Sequence, residues 1–312
     1  MELIVNEVID YVQQSHINSN LVDWGKIIKA KNNIKTKKAL GDFLDKYLLE
    51  KLQDNNLSNF KITDKNKIFS SSYVHKYAKS QFKKYYAKPQ NYFAETPDIK
   101  IFENHNILYV NAPRTTNPDY WVQYFKILNT VLKNYKQYAG IIFDLSECLG
   151  GNYAPVIAPF HQIFGRTIIA HGYNKNSESN CFTHILKRGI MGEPDSWIKR
   201  VPFNPKKISD NRTSPVKIAV IVSAYTGSAG EFAGLFFKGR PGVKIIGEKT
   251  AGMCIWQNVH YLESDEKSFL QISSAFPIDR NGKAYDRKFY VEPDIKTSNP
   301  ITKAIEFINS KN

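Results

Sequence analysis

An α/β fold is what this 312-residue sequence predicts: a mixed, mostly parallel sheet flanked by helices, behind an N-terminal helical subdomain. Three observations predict it. Two runs, Ile141–Leu145 and Val216–Ser223, are almost wholly apolar and rich in β-branched residues, as strands covered on both faces should be. Each is followed by a turn of small residues and then a helical pattern, the strand–helix alternation of an α/β domain. The first 55 or so residues carry helical spacing instead.

The elements follow in order. Ile4, Val8 and Val12 are spaced four apart, and Leu40, Phe43, Leu44, Tyr47 and Leu48 fall on one helical face. Asn55 to Tyr92 is polar, lysine-rich and aromatic without a clean period, which predicts loop and short helix. Ile107–Asn111 opens the α/β part as a strand, and Tyr120 to Tyr135 follows as an amphipathic helix. After the Ile141–Leu145 strand, Tyr153 to Phe164 predicts another helix. Arg166 to Asn211 is polar and loop-rich. Then come the Val216–Ser223 strand, the Thr226-Gly227-Ser228 turn, a helix over Ala229–Phe237, a turn at Lys238–Gly242 and a strand at Val243–Ile246. A β-rich tail has turns at Ser264–Lys267 and Asn281-Gly282. Asn299-Pro300 starts a last helix over Ile301–Asn309. The domain reading is a helical region at 1–95 and an α/β core at 96–312, with a loop-rich insertion near 166–212.

Composition bounds the function. The chain is 42% hydrophobic, enough for a sizeable core. Its formal net charge is +14, but the lysines are scattered, with no zinc-finger spacing, no RNP motif and no arginine-rich helix, so no nucleic-acid partner is expected. The three cysteines, Cys148, Cys181 and Cys254, are odd in number and without C-x-x-C spacing; neither a disulfide framework nor a metal site is expected. No cofactor motif is present. No run of about 18 apolar residues or secretory leader is visible, which places the chain in the cytoplasm as given, or in the cell envelope or outside if a leader was removed. Nothing in the sequence sets an oligomeric state.

Ser228 is the candidate nucleophile. It stands at the mouth of a helix, beside backbone N–H groups and the positive end of the dipole. Such N–H groups can stabilise an oxyanion. The same residues also fit an ordinary helix cap, because Ser228-Ala-Gly-Glu231 matches the capping box S-x-x-E. The order G-S-A-G is not the G-x-S-x-G elbow of α/β-hydrolases.

Four pieces in order distinguish the two readings. Thr226–Gly234 reads TGSAGEFAG and leads to Gly247–Gly252, GEKTAG; upstream, Ala139–Asn152 is an apolar strand ending in DLSECLGGN; downstream lie Asp279–Tyr285 and Val291–Asp294, VEPD. Together they resemble the S41 serine peptidases, the family of C-terminal processing proteases, the tricorn core and the nisin-resistance proteases. Val22-Asp-Trp24 resembles the N-terminal region of the nisin-resistance-like branch. The resemblance implies a ClpP/crotonase-like core and a serine peptidase acting on peptide or protein substrates, near their C-termini. It also implies an oxyanion hole from the backbone of Gly150, Gly151 and Ala229. No inserted PDZ domain is visible.

For the base, the resemblance implies either a lysine after G-E-x-T-x-G or an upstream histidine. Met253 occupies the lysine place, and Lys249 sits elsewhere in the motif. Asn55 and Asn56 stand where a D-x-H-S-like histidine is expected, which leaves His75 as the candidate base; His161, His171, His184 and His260 match no family position. The family's D-L-R-x-N becomes Asp144-Leu-Ser146-Glu147-Cys148. These departures keep a second reading open, a peptide-binding protein on a decayed protease scaffold.

Overall fold

The computed structural model describes residues 1–52, 58–70, 95–165, 167–173, 181–185, 198–201, 215–285 and 290–310. The chain divides into two compact units. One comprises residues 1–87, 173–178 and 255–276; the other comprises 88–172, 179–254 and 277–312.

In the first unit the four-residue spacing becomes helix α1 (Glu2–Ser15), which buries Ile4, Val5, Val8, Ile9 and Val12. Helix α2 (Trp24–Lys31) is capped by Asp23, and α3 (Lys37–Phe43) by Thr36, whose hydroxyl accepts from the Ala39 N–H at 3.1 Å. The helices cover one face of an antiparallel sheet in the order β2 (Lys67–Ser70), β1 (Asn59–Asp64), β12 (Asp265–Ile278) and β11 (Trp256–Leu262). Leu40, Leu44, Leu48, Phe60, Ile62, Leu270 and Ile272 share its core.

Strands β1 and β2 lie where loop and short helix were expected. Their inward residues, Phe60, Ile62 and Phe69, alternate with Lys61, Thr63 and Ile68 across the hairpin, so the period is 2. The lysines obscure it in the sequence. The pairing that makes β1 a strand comes from Phe269–Gln271, about two hundred residues away.

The second unit contains a six-stranded sheet in the order β13 (Ile295–Lys296), β10 (Val243–Gly247), β9 (Lys217–Val222), β5 (Gly140–Asp144), β4 (Ile107–Asn111) and β3 (Asp98–Phe102). All neighbours are parallel except β3, which pairs antiparallel with β4. Every residue of β5 is buried. Ile142 packs with Ala304 and Ile308 of helix α8 (Pro300–Asn309). The next residue, Phe143, points the other way and meets Phe160 and Phe237 at ring-centroid distances of 4.9 and 5.6 Å. Helices α4 (Trp121–Lys133) and α7 (Ala229–Phe237) complete the layers.

The helix expected over Tyr153–Phe164 is broken into α5 (Ala154–Ile157), a 3₁₀ turn and α6 (His161–Phe164). Pro155 and Pro159 each start a new turn, because proline fits the first positions of a helix and breaks its interior. The loop-rich stretch after Arg166 contains three antiparallel strands, β6 (Thr167–Tyr173), β7 (Cys181–Ile185) and β8 (Ile198–Val201).

Candidate active site

The site is assembled at the carboxyl ends of β5, β9 and β10, where open α/β sheets usually place their ligands. After β9 the chain turns over Ser223–Gly227, and this turn is fastened to the loop after β5. The Thr226 hydroxyl donates to the Leu145 carbonyl at 2.8 Å, Ser223 Oγ donates to the Ser146 carbonyl at 2.5 Å, and the Gly227 N–H donates to the Cys148 carbonyl at 2.9 Å. The next residue is Ser228, with φ +47° and ψ −112°. Such a backbone costs a serine about 1–3 kcal/mol and persists only where its surroundings hold it. Lys65 and Asn106 also have positive φ, but Asn106 sits in the ordinary left-handed region.

Glu231 supplies much of that hold. Its carboxylate is fully buried and accepts four hydrogen bonds. Oε1 takes the Thr250 hydroxyl at 2.5 Å and the Gly252 N–H at 2.9 Å; Oε2 takes the Ser228 N–H at 2.9 Å and the Met253 N–H at 2.8 Å. The capping box predicted from sequence is therefore present, and its glutamate half is the stronger one: Ser228 Oγ lies toward the Glu231 N–H without completing a cap bond of ordinary geometry. Burial pushes the Glu231 carboxyl up to about 7, against the pull of its four donors. Every one of those partners presents a hydrogen, so the ionised form is the one whose lone pairs all find donors.

The two-glycine turn lies directly against the serine. Gly150 has φ +137°, and a Cβ there would stand 3.0 Å from Ser228 Cβ and 3.5 Å from Oγ. Gly151 has φ +114°, and its added Cβ would meet the Thr115 carbonyl at 2.2 Å. Glycine is thus required at both places by conformation and by space. Thr115 fixes the turn: its N–H donates to the Gly150 carbonyl at 2.9 Å and its hydroxyl to the Asn152 carbonyl at 2.7 Å. Of the three backbone donors expected from sequence, Gly150 directs its N–H toward the Cys148 thiol. Among the described residues, no group accepts from the N–H of Gly151 or of Ala229. Thr115 was not singled out from the sequence; its only signal there is a small polar residue just past a strand end.

The remaining candidates are placed as follows. Cys148 is buried and its thiol is pushed up to about 12 by burial, so it is a neutral packing residue beside the turn. Met253 lies beside the serine turn, its sulfur 3.4 Å from where a Gly227 Cβ would be. Lys249 instead stands over the Tyr290 ring, 4.4 Å from its centroid. Asp279 and Asp294 are structural carboxylates: Asp279 closes its own turn, and Asp294 accepts from the Ile245 N–H at 2.8 Å and from Lys238 at 2.7 Å.

His161 Nδ1 hydrogen-bonds the Ala158 carbonyl at 2.9 Å, and His260 pairs with Glu7 at 3.0 Å while stacking on Tyr11. Buried His16, which the sequence did not single out, meets Ser58 Oγ at 3.0 Å. Among the described residues no histidine hydrogen-bonds Ser228. His75, Asn55 and Asn56 lie outside the described residues.

A serine at a strained strand-to-helix turn, beside unengaged N–H groups and a two-glycine turn, is an arrangement that can serve nucleophilic catalysis and hold an oxyanion. The chain belongs to peptidase family S41, whose model matches residues 106–297. It is 32% identical over 208 residues to the nisin-resistance protein of Lactococcus lactis subsp. lactis, a match covering 66% of this chain and 61% of that protein. This chain thus spans less than two thirds of that relative's length.

Among solved structures, a lipoprotein from Streptococcus agalactiae superposes with a TM-score of 0.68 at 20% identity, covering 98% of this chain and 94% of that one. The photosystem II D1 C-terminal processing protease superposes with a TM-score of 0.60 at 12% identity, covering 99% and 97%. A peptidase-like protein from Parabacteroides merdae gives 0.57 at 16%, covering 100% and 97%. These three likenesses show the shared fold. No helix among the described residues is long and apolar enough to cross a membrane.

Proposed function

We propose that this chain is a serine peptidase that hydrolyses peptide bonds of peptide or protein substrates, near their C-termini, through Ser228. One observation carries the reading: Ser228 occupies a strained positive-φ position at the start of α7, packed on Gly150, with the N–H groups of Gly151 and Ala229 unengaged. In this mechanism Ser228 Oγ attacks the scissile carbonyl and its proton passes to a general base. The carbonyl oxygen becomes an oxyanion held by the Gly151 and Ala229 N–H groups at the positive end of the helix dipole. The C–N bond then breaks as the base returns the proton to the leaving amine, and water releases the acyl group. His75 is the base in this proposal, as the histidine expected upstream of the core. Cleavage near C-termini is carried over from the resemblance to the family's processing proteases.

The test is covalent labelling with a fluorophosphonate probe, together with turnover of a peptide library. Wild type should label on Ser228 and cleave; Ser228→Ala should do neither. Turnover retained by a pure Ser228→Ala preparation would sink the proposal. A second reading, a peptide-binding protein without catalysis, is favoured by Met253, whose thioether stands beside the serine turn where many members of the family carry a lysine base. It expects peptide affinity that survives Ser228→Ala and no labelling of wild type.

A further inference from the structure

We infer that Glu231 is a positioning residue of this site: its buried carboxylate clasps the serine turn to the Thr250–Met253 segment and holds Ser228 in its strained backbone conformation. The inference rests on the serine-peptidase reading above. A capping-box glutamate ordinarily reaches back to one N–H group at a helix end. Here the carboxylate is fully buried, and its four donors come from two separate stretches of chain, Ser228 on one side and Thr250, Gly252 and Met253 on the other.

Stability alone does not call for a charge at this place, since a buried carboxylate is costly to desolvate and apolar packing would do as well. What the charge provides is geometry. Two oxygens with two donors each fix the relative position of the two segments, and the Ser228 N–H is one of the four. A glutamine would have to turn its amide hydrogens toward either the Gly252 N–H or the Ser228 and Met253 N–H groups, so at least one contact becomes repulsive. Protonation turns one acceptor into a donor that, of the four partners, only the Thr250 hydroxyl can accept, and that hydroxyl then gives up its own bond to the carboxylate. Among the described residues, the Cys254 thiol is the titratable group that feels the Glu231 charge; it is itself raised by burial, so it stays neutral.

The experiment follows the fluorophosphonate reaction on the full chain across the pH range, resolving the probe's saturation constant from the maximal inactivation rate. In that reaction the Oγ–P bond forms, fluoride leaves and the hydroxyl proton passes to the base. Glu231→Gln should lower the maximal rate by roughly ten- to a hundredfold, as for a misplaced reacting group, with the saturation constant unchanged. Thr250→Val keeps the carboxylate but removes its shortest donor, so the pH at which the rate rises should move upward; Thr250→Ser should restore it. A histidine base titrates in the same region, but Thr250 donates to the Glu231 carboxylate, so a step that moves in Thr250→Val and returns in Thr250→Ser is assigned to Glu231. Wild-type rates and an unmoved step in both Glu231→Gln and Thr250→Val would overturn the positioning role while leaving the nucleophile intact. Absence of labelling in wild type at every pH would overturn the nucleophile, and the positioning role with it.

Discussion

Adding one methyl group at Gly150 should disable the site while leaving the fold in place. The Cβ of an alanine there would lie 3.0 Å from Ser228 Cβ, tighter than most carbon–carbon contacts, at a backbone φ of +137°. The backbone strain is about 1–3 kcal/mol for a non-glycine residue. Overpacking adds about 1–3 kcal/mol if the neighbour must move. Ser228 is that neighbour, and the bonds to Glu231 and the Gly227–Cys148 bond limit where it can go.

The control is Gly282→Ala. Its φ is +81°, and an added Cβ there meets nothing within 4 Å, so only strain remains. Gly282→Ala should cost about 1 kcal/mol and label with the fluorophosphonate as wild type does. Gly150→Ala should cost about 2–6 kcal/mol, and labelling of Ser228 should fall at least about tenfold, as a displacement of the reacting group demands. Urea unfolding and probe labelling read the two quantities separately. Wild-type labelling in a folded Gly150→Ala protein would show that this turn does not set the serine's position, and would refute the reasoning.

Two further outcomes concern titrating groups. The Glu231 carboxyl is raised in the folded state from 4.5 to about 7, so the folded protein keeps a proton that the unfolded chain has lost. That stabilisation is present below the unfolded value and lost as pH rises through about 7; its upper bound is about 3 kcal/mol. Unfolding free energies of wild type, measured against Glu231→Gln between about pH 5 and pH 8, should decline with pH; a flat difference would remove the shift. Cys148, buried with its thiol at about 12, should resist alkylation near pH 8 until denaturant is added, and rapid native alkylation would contradict its placement.

These expectations set stability against function within one side chain. The protonated glutamic acid is the form favoured by burial, while the ionised form is the one that satisfies all four donors and holds the serine turn. Functional sites commonly retain such costly groups.

What could be read in the sequence follows from range. Helix α1, strands β5 and β9, the Ser228 turn and α7 were legible because their signals are local: a four-residue spacing, an unbroken apolar run, a small-residue turn ahead of a helix. Strands β1, β2 and β6–β8 were not. Their residues are polar or mixed, and β1 exists through its pairing with Phe269–Gln271 of β12.

At the site, the sequence by itself determined which residues stand at the serine turn and that two glycines follow the Ile141–Leu145 strand. It gave Glu231 the role of a cap, which it has. Only the tertiary structure decided that this cap is also a buried four-donor clasp, because three of the donors lie 19 to 22 residues further along the chain and reach it only when β10 is laid beside β9. The same holds for Gly150 against Ser228, 78 positions apart in sequence, which the parallel pairing of β5 with β9 brings to van der Waals distance. Local propensity is written residue by residue, whereas hydrogen-bond partners and steric limits at a site depend on which strand ends the sheet places together.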